Sequence, residues 1–179
     1  MRIISGSLKG RRFDPPANMT ARPTTDFAKE GLFNMLSSNI DLEGIEVLDL
    51  FEGTGSVGYE FVSRGAAHVT GVEMNEKQIL FIKKTCKEFG INNLLVTRMD
   101  VFRYLSTPRK AFDVVFADPP YQLDNLTTLP QLVLGNGFVK PDGLFILEHG
   151  SKNNFADHEC FVEERKYGNV HFSLFRPKQ

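Results

Sequence analysis

The sequence predicts an α/β fold built on a mostly parallel sheet, and three features carry the prediction. From Ile45 onward, short runs rich in Val, Leu, Ile and Phe alternate with segments of helical periodicity, the mark of strand-helix-strand units. Several of the strand candidates, VVFA above all, are apolar throughout, as strands covered on both faces are. The closing stretch CFVEERKYGNVHFSLF reads as two alternating strands joined at Tyr167-Gly168-Asn169, a hairpin that closes the sheet antiparallel.

Taken in order, residues 2–14 (RIISGSLKGRRFD) suggest two short strands around a turn punctuated by Gly6 and Gly10, and Pro15-Pro16 a stiff extended link. Residues 1–21 are therefore set apart as a small N-terminal basic β-hairpin, and 22–179 as the main domain. A first helix starts at Thr24 or Thr25, with a hydroxyl cap, Asp26 and Glu30 early, and Phe27, Leu32, Met35, Leu36 and Ile40 as its apolar stripe. Strands follow at IEVLDLF, Ala67 to Glu73, Leu94 to Arg98, Phe112 to Ala117 and GLFILEH. Helices are expected at Val57 to Arg64, Asn75 to Phe89, Val101 to Leu105 and Leu126 to Leu134, the last begun or kinked at Pro130. In the longest of these Asn75 caps, Gln78 stands at the capping-box position and Gly90 stops the helix.

At 179 residues, with 41% hydrophobic and 24% charged content, the chain suits one globular domain. It holds no apolar run of membrane-spanning length, and its basic start lacks the apolar segment of a signal peptide, so no membrane partner and a cytoplasmic location are expected. Cys86 and Cys160 have no metal-ligand spacing and read as free thiols, and no metal is expected. Net charge is −1, but residues 1–25 carry five basic residues (Arg2, Lys9, Arg11, Arg12, Arg22) against Asp14 alone. A positive end on a mildly acidic body suits one face meeting phosphates.

The chemistry centres on FDVVFADPPY. An apolar strand stops at Asp118, Pro119, Pro120 and Tyr121, which leaves a carboxylate, proline carbonyls and a ring at its C-terminal edge. In an open α/β sheet ligands bind at that edge. A carboxylate and a carbonyl accept hydrogen bonds from an exocyclic NH2, and a tyrosine gives a face on which a base stacks.

Upstream, Gly53, Gly55 and Gly58 spell the dinucleotide fingerprint, with Glu73 beyond them. Asp49 and Glu52 crowd that loop with negative charge, which would repel a pyrophosphate and suits a cationic cofactor without phosphates. S-adenosylmethionine answers that description. Glu73 is then placed for the ribose hydroxyls, Asp100 for the adenine amine, and Met74 and Val101 for the ring faces. Asp49, Glu73, Asp100 and Asp118 fall at or near the ends of four successive strands and line one crevice.

These motifs resemble the class I S-adenosylmethionine-dependent methyltransferases, specifically the RsmD-type family that methylates a guanine exocyclic amine in small-subunit (16S) ribosomal RNA. The resemblance rests on RPTTDFAKEGLFNML at 22–36, VLDLFEGTGSVGYE at 47–60, SRGAAHVTGVEMN at 63–75 and FDVVFADPPY. It implies a Rossmann-like seven-stranded sheet with the last strand antiparallel, and RNA contacts from Arg2, Lys9, Arg11, Arg12 and Arg22. It further implies cofactor contacts from Thr24, Phe51, Gly53, Gly55 and Asp118. Glu52 departs from the family, where small residues such as Ala are common, and is expected to point to solvent. The substrate would be ribosomal RNA, naked or in an assembled or partly assembled subunit, met by a monomer. Competing readings are an adenine exocyclic-amine methyltransferase of DNA or RNA, a non-catalytic RNA-binding assembly factor, and a dehydrogenase. His149, beside Glu148, is noted without a role.

Overall fold

Parallel βαβ windings account for most of the computed structural model of the chain, which describes residues 1–17, 19, 25–107 and 110–178. The strands are β1 (Glu46–Leu50), β2 (His68–Glu73), β3 (Leu94–Arg98), β4 (Phe112–Ala117), β5 (Val139–His149), β6 (Phe161–Tyr167) and β7 (Val170–Phe175). The helices are α1 (Asp26–Ser37), α2 (Ser56–Ser63), α3 (Glu76–Phe89), α4 (Val101–Leu105) and α5 (Leu129–Gly135), the last preceded by a 3-10 turn at Leu126–Thr128. The sheet order is β3-β2-β1-β4-β5-β7-β6, and β7 alone runs antiparallel to its neighbours.

Successive strand residues point to opposite faces, and both faces are covered. Val47, Val114, Phe116, Leu144 and Ile146 enter the core beneath α1, α2 and α3, while Leu48, Val115, Ala117, Phe145 and Leu147 enter the one beneath α4 and α5. This two-sided burial is why the central strands read as continuous apolar runs. After β1 the chain winds outward through β2 to β3, then crosses back to β4 on the other side of β1. The β1/β4 boundary is thus the topological switch point, the place outside the carboxyl ends of the strands where open α/β sheets bind ligands.

Thr25 caps α1, its hydroxyl accepting the Ala28 N–H at 3.2 Å. Asn75 caps α3, and Gly90 ends it in the left-handed region at φ 68°. Four expectations need correction. The N-terminal segment pairs through one antiparallel bridge, Arg2 to Arg12, rather than two full strands: Ile3, Gly10 and Phe13 bond across the hairpin, but the Ile4, Ser5 and Leu8 N–H groups turn to Glu60 and Ser63 of α2. Phe27 is 65% exposed, its ring edge against Tyr167, and Ile40 lies beyond the end of α1, so neither belongs to the helix's buried stripe. Gln78 does not close a capping box. The Asn75 N–H already donates to Glu73, and the Gln78 amide, oriented by its surroundings, donates to the same carboxylate. β5 begins at Val139, earlier than GLFILEH, with a register shift against β4 between Phe112 and Val114.

A buried ionic hub fastens the N-terminal segment. Glu60 of α2, fully buried, accepts the backbone N–H groups of Ile4 and Ser5 at 2.8 and 3.0 Å and the Arg64 guanidinium at 2.9 Å. The buried Lys29 ammonium lies 3.8 Å from the same carboxylate and donates to the Arg2 carbonyl at 2.6 Å. Ile3 and Phe13 join the core alongside.

Candidate active site

Four carboxylates stand at or just beyond the carboxyl ends of β1 to β4, on strands that are consecutive in space. Asp49 sits within β1 and is 2% exposed, and its Oδ1 meets no hydrogen-bond donor among the described residues. Burial, then the charges of Glu52 and Glu73, push its carboxyl well above the usual range. Phe51 follows with φ 65°, a left-handed conformation that is costly outside glycine and concentrates at functional turns. Gly53 and Gly55 continue the turn at φ 59° and 81°. At Gly55 the loop leaves no room for a side chain, since a Cβ would stand 2.6 Å from the Tyr59 ring.

Glu73, at the end of β2, fastens the loop. Its Oε2 accepts the Gly53 N–H at 2.9 Å, and its Oε1 accepts the N–H groups of Met74 and Asn75 at 2.8 and 2.7 Å. Met74 beside it is 65% exposed. Asp100 follows β3 and caps α4, its Oδ1 accepting the Arg103 N–H at 2.9 Å. Val101 is buried in the core beneath that helix.

Asp118 leaves β4 across the switch point, its N–H donating to the Leu50 carbonyl at 3.4 Å. Its side chain is half-buried, Pro119 is buried and Pro120 is exposed. The Pro120 carbonyl accepts the Leu123 N–H at 2.9 Å, committing it to a turn. The Tyr121 hydroxyl donates to Glu148 Oε1 at 2.9 Å. Glu148 was not singled out by the sequence reading. The one sequence signal for it is an acid near the end of an apolar strand; that the strand lies beside β4 is seen only in the fold.

Glu52 overturns its expectation. It is 5% exposed, and its carboxylate lies between α2 and β2 in a slot that two glycines create. A Cβ at Gly58 would stand 2.2 Å from Oε1 and one at Gly71 2.4 Å from Oε2. Neither oxygen has a hydrogen-bond partner among the described residues. Burial, then Glu73, push this carboxyl up to about 8 from an ordinary 4.5. A folded value raised above the unfolded one contributes stability that is full below pH 4.5 and lost as pH rises through about 8. Urea melts between pH 5 and 8 should therefore show wild type losing stability relative to Glu52→Gln by on the order of a few kcal/mol. Parallel pH profiles for the two proteins would contradict a buried, protonated Glu52.

The remaining expected residues are dispersed. Arg2, Lys9, Arg11 and Arg12 are exposed on the N-terminal segment. Arg2 pairs with Asp26 at 2.7 Å, and Arg11 lies over the Phe89 ring. Arg2, Lys9 and Arg64 share an open pocket of about 400 Å³ with Glu30 and Asn34. Arg22 and Thr24 lie outside the described residues. Cys86 and Cys160 are free thiols. His149, His171 and Glu164 gather across β5, β7 and β6 with candidate ligand atoms within 4.8 Å of one another. They are tied into their own hydrogen bonds, His171 to Glu164 at 2.9 Å and His149 to Ser173 at 2.8 Å.

Residues 1–176 match the family described as Conserved hypothetical protein 95. The chain belongs to this family. Among its relatives, the Ribosomal RNA small subunit methyltransferase D of Buchnera aphidicola subsp. Baizongia pistaciae is 32% identical, over 98% of this chain and 91% of the relative. The Putative rRNA methyltransferase YlbH of Bacillus subtilis is 38% identical over 83% and 82% of the two chains. The solved structure of the putative methyltransferase yhhF from Escherichia coli superposes with a TM-score of 0.86 at 29% identity, covering 100% of this chain and 99% of that one. The fold expected from the sequence, a Rossmann-like class I methyltransferase sheet with its last strand antiparallel, is the fold of this chain. Among the described residues, no helix is long and apolar enough to cross a membrane.

Proposed function

We propose that this chain is an S-adenosylmethionine-dependent methyltransferase acting on the exocyclic amine of a guanine in small-subunit ribosomal RNA. The observation that carries the reading is the switch-point crevice itself. A buried acid with an unsatisfied oxygen on β1 stands near the exit of the neighbouring β4, where an acid, two prolines and a tyrosine follow the strand. The Asp49 carboxyl, buried with an unpartnered oxygen and raised by that burial, would ionise most readily beside a ligand that brings positive charge, and a glycine loop fastened by the Glu73 carboxylate suits one without phosphates. The ribosomal substrate is supported by the names of the relatives. The guanine rests on the sequence resemblance.

When bound, S-adenosylmethionine supplies a methyl group on a sulfonium, an electrophile that needs no further activation. Asp49 would face the cofactor's positive end. Phe51, Gly53 and Gly55 hold the backbone in the conformation that lets it approach closely. Glu73 would serve the ribose by exchanging one of its loop donors for a hydroxyl, and Asp100 would accept from the adenine amine, with Met74 and Val101 beside the ring. At the acceptor side, Asp118 and the Pro119 carbonyl would accept from the two amine hydrogens, since the Pro120 carbonyl is committed elsewhere. This orients the nitrogen lone pair and places a negative charge where positive charge develops as the nitrogen is alkylated. Tyr121 provides the stacking face for a base splayed out of its RNA. The exposed basic residues of the N-terminal segment would meet phosphates.

Labelled methyl transfer from S-adenosylmethionine tests the reading on two substrates, undermethylated small subunits and the RNA extracted from them. Label in the small-subunit RNA of either supports it, and the better substrate shows whether ribosomal proteins contribute to recognition. No transfer to either, with the cofactor bound, would overturn it in favour of a binding role.

A further inference from the structure

The Tyr121 ring is fastened at two points outside its own turn. Its hydroxyl donates to Glu148 Oε1, and its edge lies against Gly150, where an added Cβ would stand 3.2 Å from Cδ2 and 3.5 Å from Cε2. Glu148 is 5% exposed near the carboxyl end of β5, directly beside β4. Gly150 is itself anchored. Its carbonyl takes the His149 Nδ1 hydrogen at 2.9 Å, and the other ring nitrogen meets the Ser173 hydroxyl of β7 at 2.8 Å. A carbonyl only accepts, so Nδ1 carries the proton, and the fully buried ring, whose pKa is lowered by desolvation, accepts from Ser173 at Nε2. A phenol, a carboxylate, a glycine backbone and an imidazole thus tie the exit of β4 to β5 and β7.

We propose that Glu148 is a positioning residue that, together with the Gly150 backbone, sets the plane and depth of the Tyr121 ring on which the acceptor base stacks. The inference rests on the stacking role given to Tyr121 above. A tyrosine at a strand exit turns readily about its side-chain bonds, and a platform free to turn loses binding strength by having to be ordered when the base arrives. A hydrogen bond from the phenol to a buried carboxyl oxygen fixes the far end of the ring. Gly150 fixes the near edge by leaving space that any side chain would fill.

Steady-state kinetics on undermethylated small subunits test this. Tyr121→Phe and Glu148→Ala should each raise KM for the subunit by up to roughly ten-fold, the loss expected for one buried hydrogen bond, with kcat changing less. The double variant should be no worse than the poorer single one, because both remove the same bond. Glu148→Gln, whose amide oxygen accepts from the phenol, should recover most of the loss. Gly150→Ala should raise KM by displacing the ring while both hydrogen-bonding partners remain. Calorimetric affinity for S-adenosylmethionine should stay at the wild-type value in all five, which a general loss of structure would not allow. Wild-type KM in Glu148→Ala, or losses that multiply in the double variant, would overturn the positioning role. Tyr121→Ala separates the two layers. If it is impaired while Glu148→Ala is not, only the positioning role falls; if it is unimpaired, the stacking role falls and the positioning role with it.

Discussion

Asp118→Ala is expected to lower methyl transfer about 100- to 1,000-fold, the range seen when one preorganised electrostatic group is removed from a developing charge. The reasoning is local. Asp118 is the first residue past β4, held across the switch point by the bond from its N–H to the Leu50 carbonyl, a backbone contact that alanine keeps. The proposed cofactor contacts on β1, β2 and β3 come from other residues, so affinity for S-adenosylmethionine should be largely retained. Asp118→Asn keeps an accepting oxygen but no charge. Its activity should fall between wild type and alanine, separating orientation of the amine from stabilisation of its charge. Turnover of Asp118→Ala at the wild-type level would remove Asp118 from the chemistry.

Glu60→Ala carries the largest expected cost to stability, about 3–5 kcal/mol, because it breaks a buried ion pair by removing one partner. The carboxylate has no exposed surface and holds two backbone N–H groups and one guanidinium in direct hydrogen bonds. Its loss leaves Lys29, 1% exposed, as a buried cation. Desolvation already lowers the Lys29 pKa, and Glu60 is the largest influence opposing that. The N-terminal segment, whose Ile4 and Ser5 amides would lose their acceptor, should become an early site of proteolysis. Urea melts and limited proteolysis check both effects. A loss below about 1 kcal/mol, the scale of an exposed pair, would contradict the buried-hub reading.

What the sequence made legible is local in character. Thr25, Asn75 and Gly90 announce helix ends because caps act within a turn of the chain, and FDVVFADPPY announces a strand that must stop. The strand-end acids on β1 to β4 were legible for the same reason: periodicity fixes where each strand stops, and the parallel fold brings those ends together. Features set by long-range packing were not legible. Glu52 looks like a loop acid until Gly58 and Gly71, on separate elements, are seen to leave a slot for its carboxylate. Phe27 fits a helical stripe by spacing, yet its side of α1 carries it out to the Tyr167 ring and not into the core. Gly31 gives no sign in sequence that it makes room for Tyr167, whose hydroxyl donates to its carbonyl at 3.2 Å. Nor does spacing show that Glu148 meets Tyr121, since their contact depends on β5 lying directly beside β4.

Nucleoside analysis of transferred methyl tests the central claim most directly. Undermethylated small-subunit RNA would be incubated with the protein and labelled S-adenosylmethionine, digested, and resolved by chromatography. The account predicts label in guanosine carrying methyl on its exocyclic amine, and its disappearance with Asp118→Ala. Label in adenosine methylated at its amine would keep the acceptor chemistry and contradict the guanine assignment. Absence of label from every nucleoside, with the cofactor bound, would contradict the assignment of this crevice to methyl transfer.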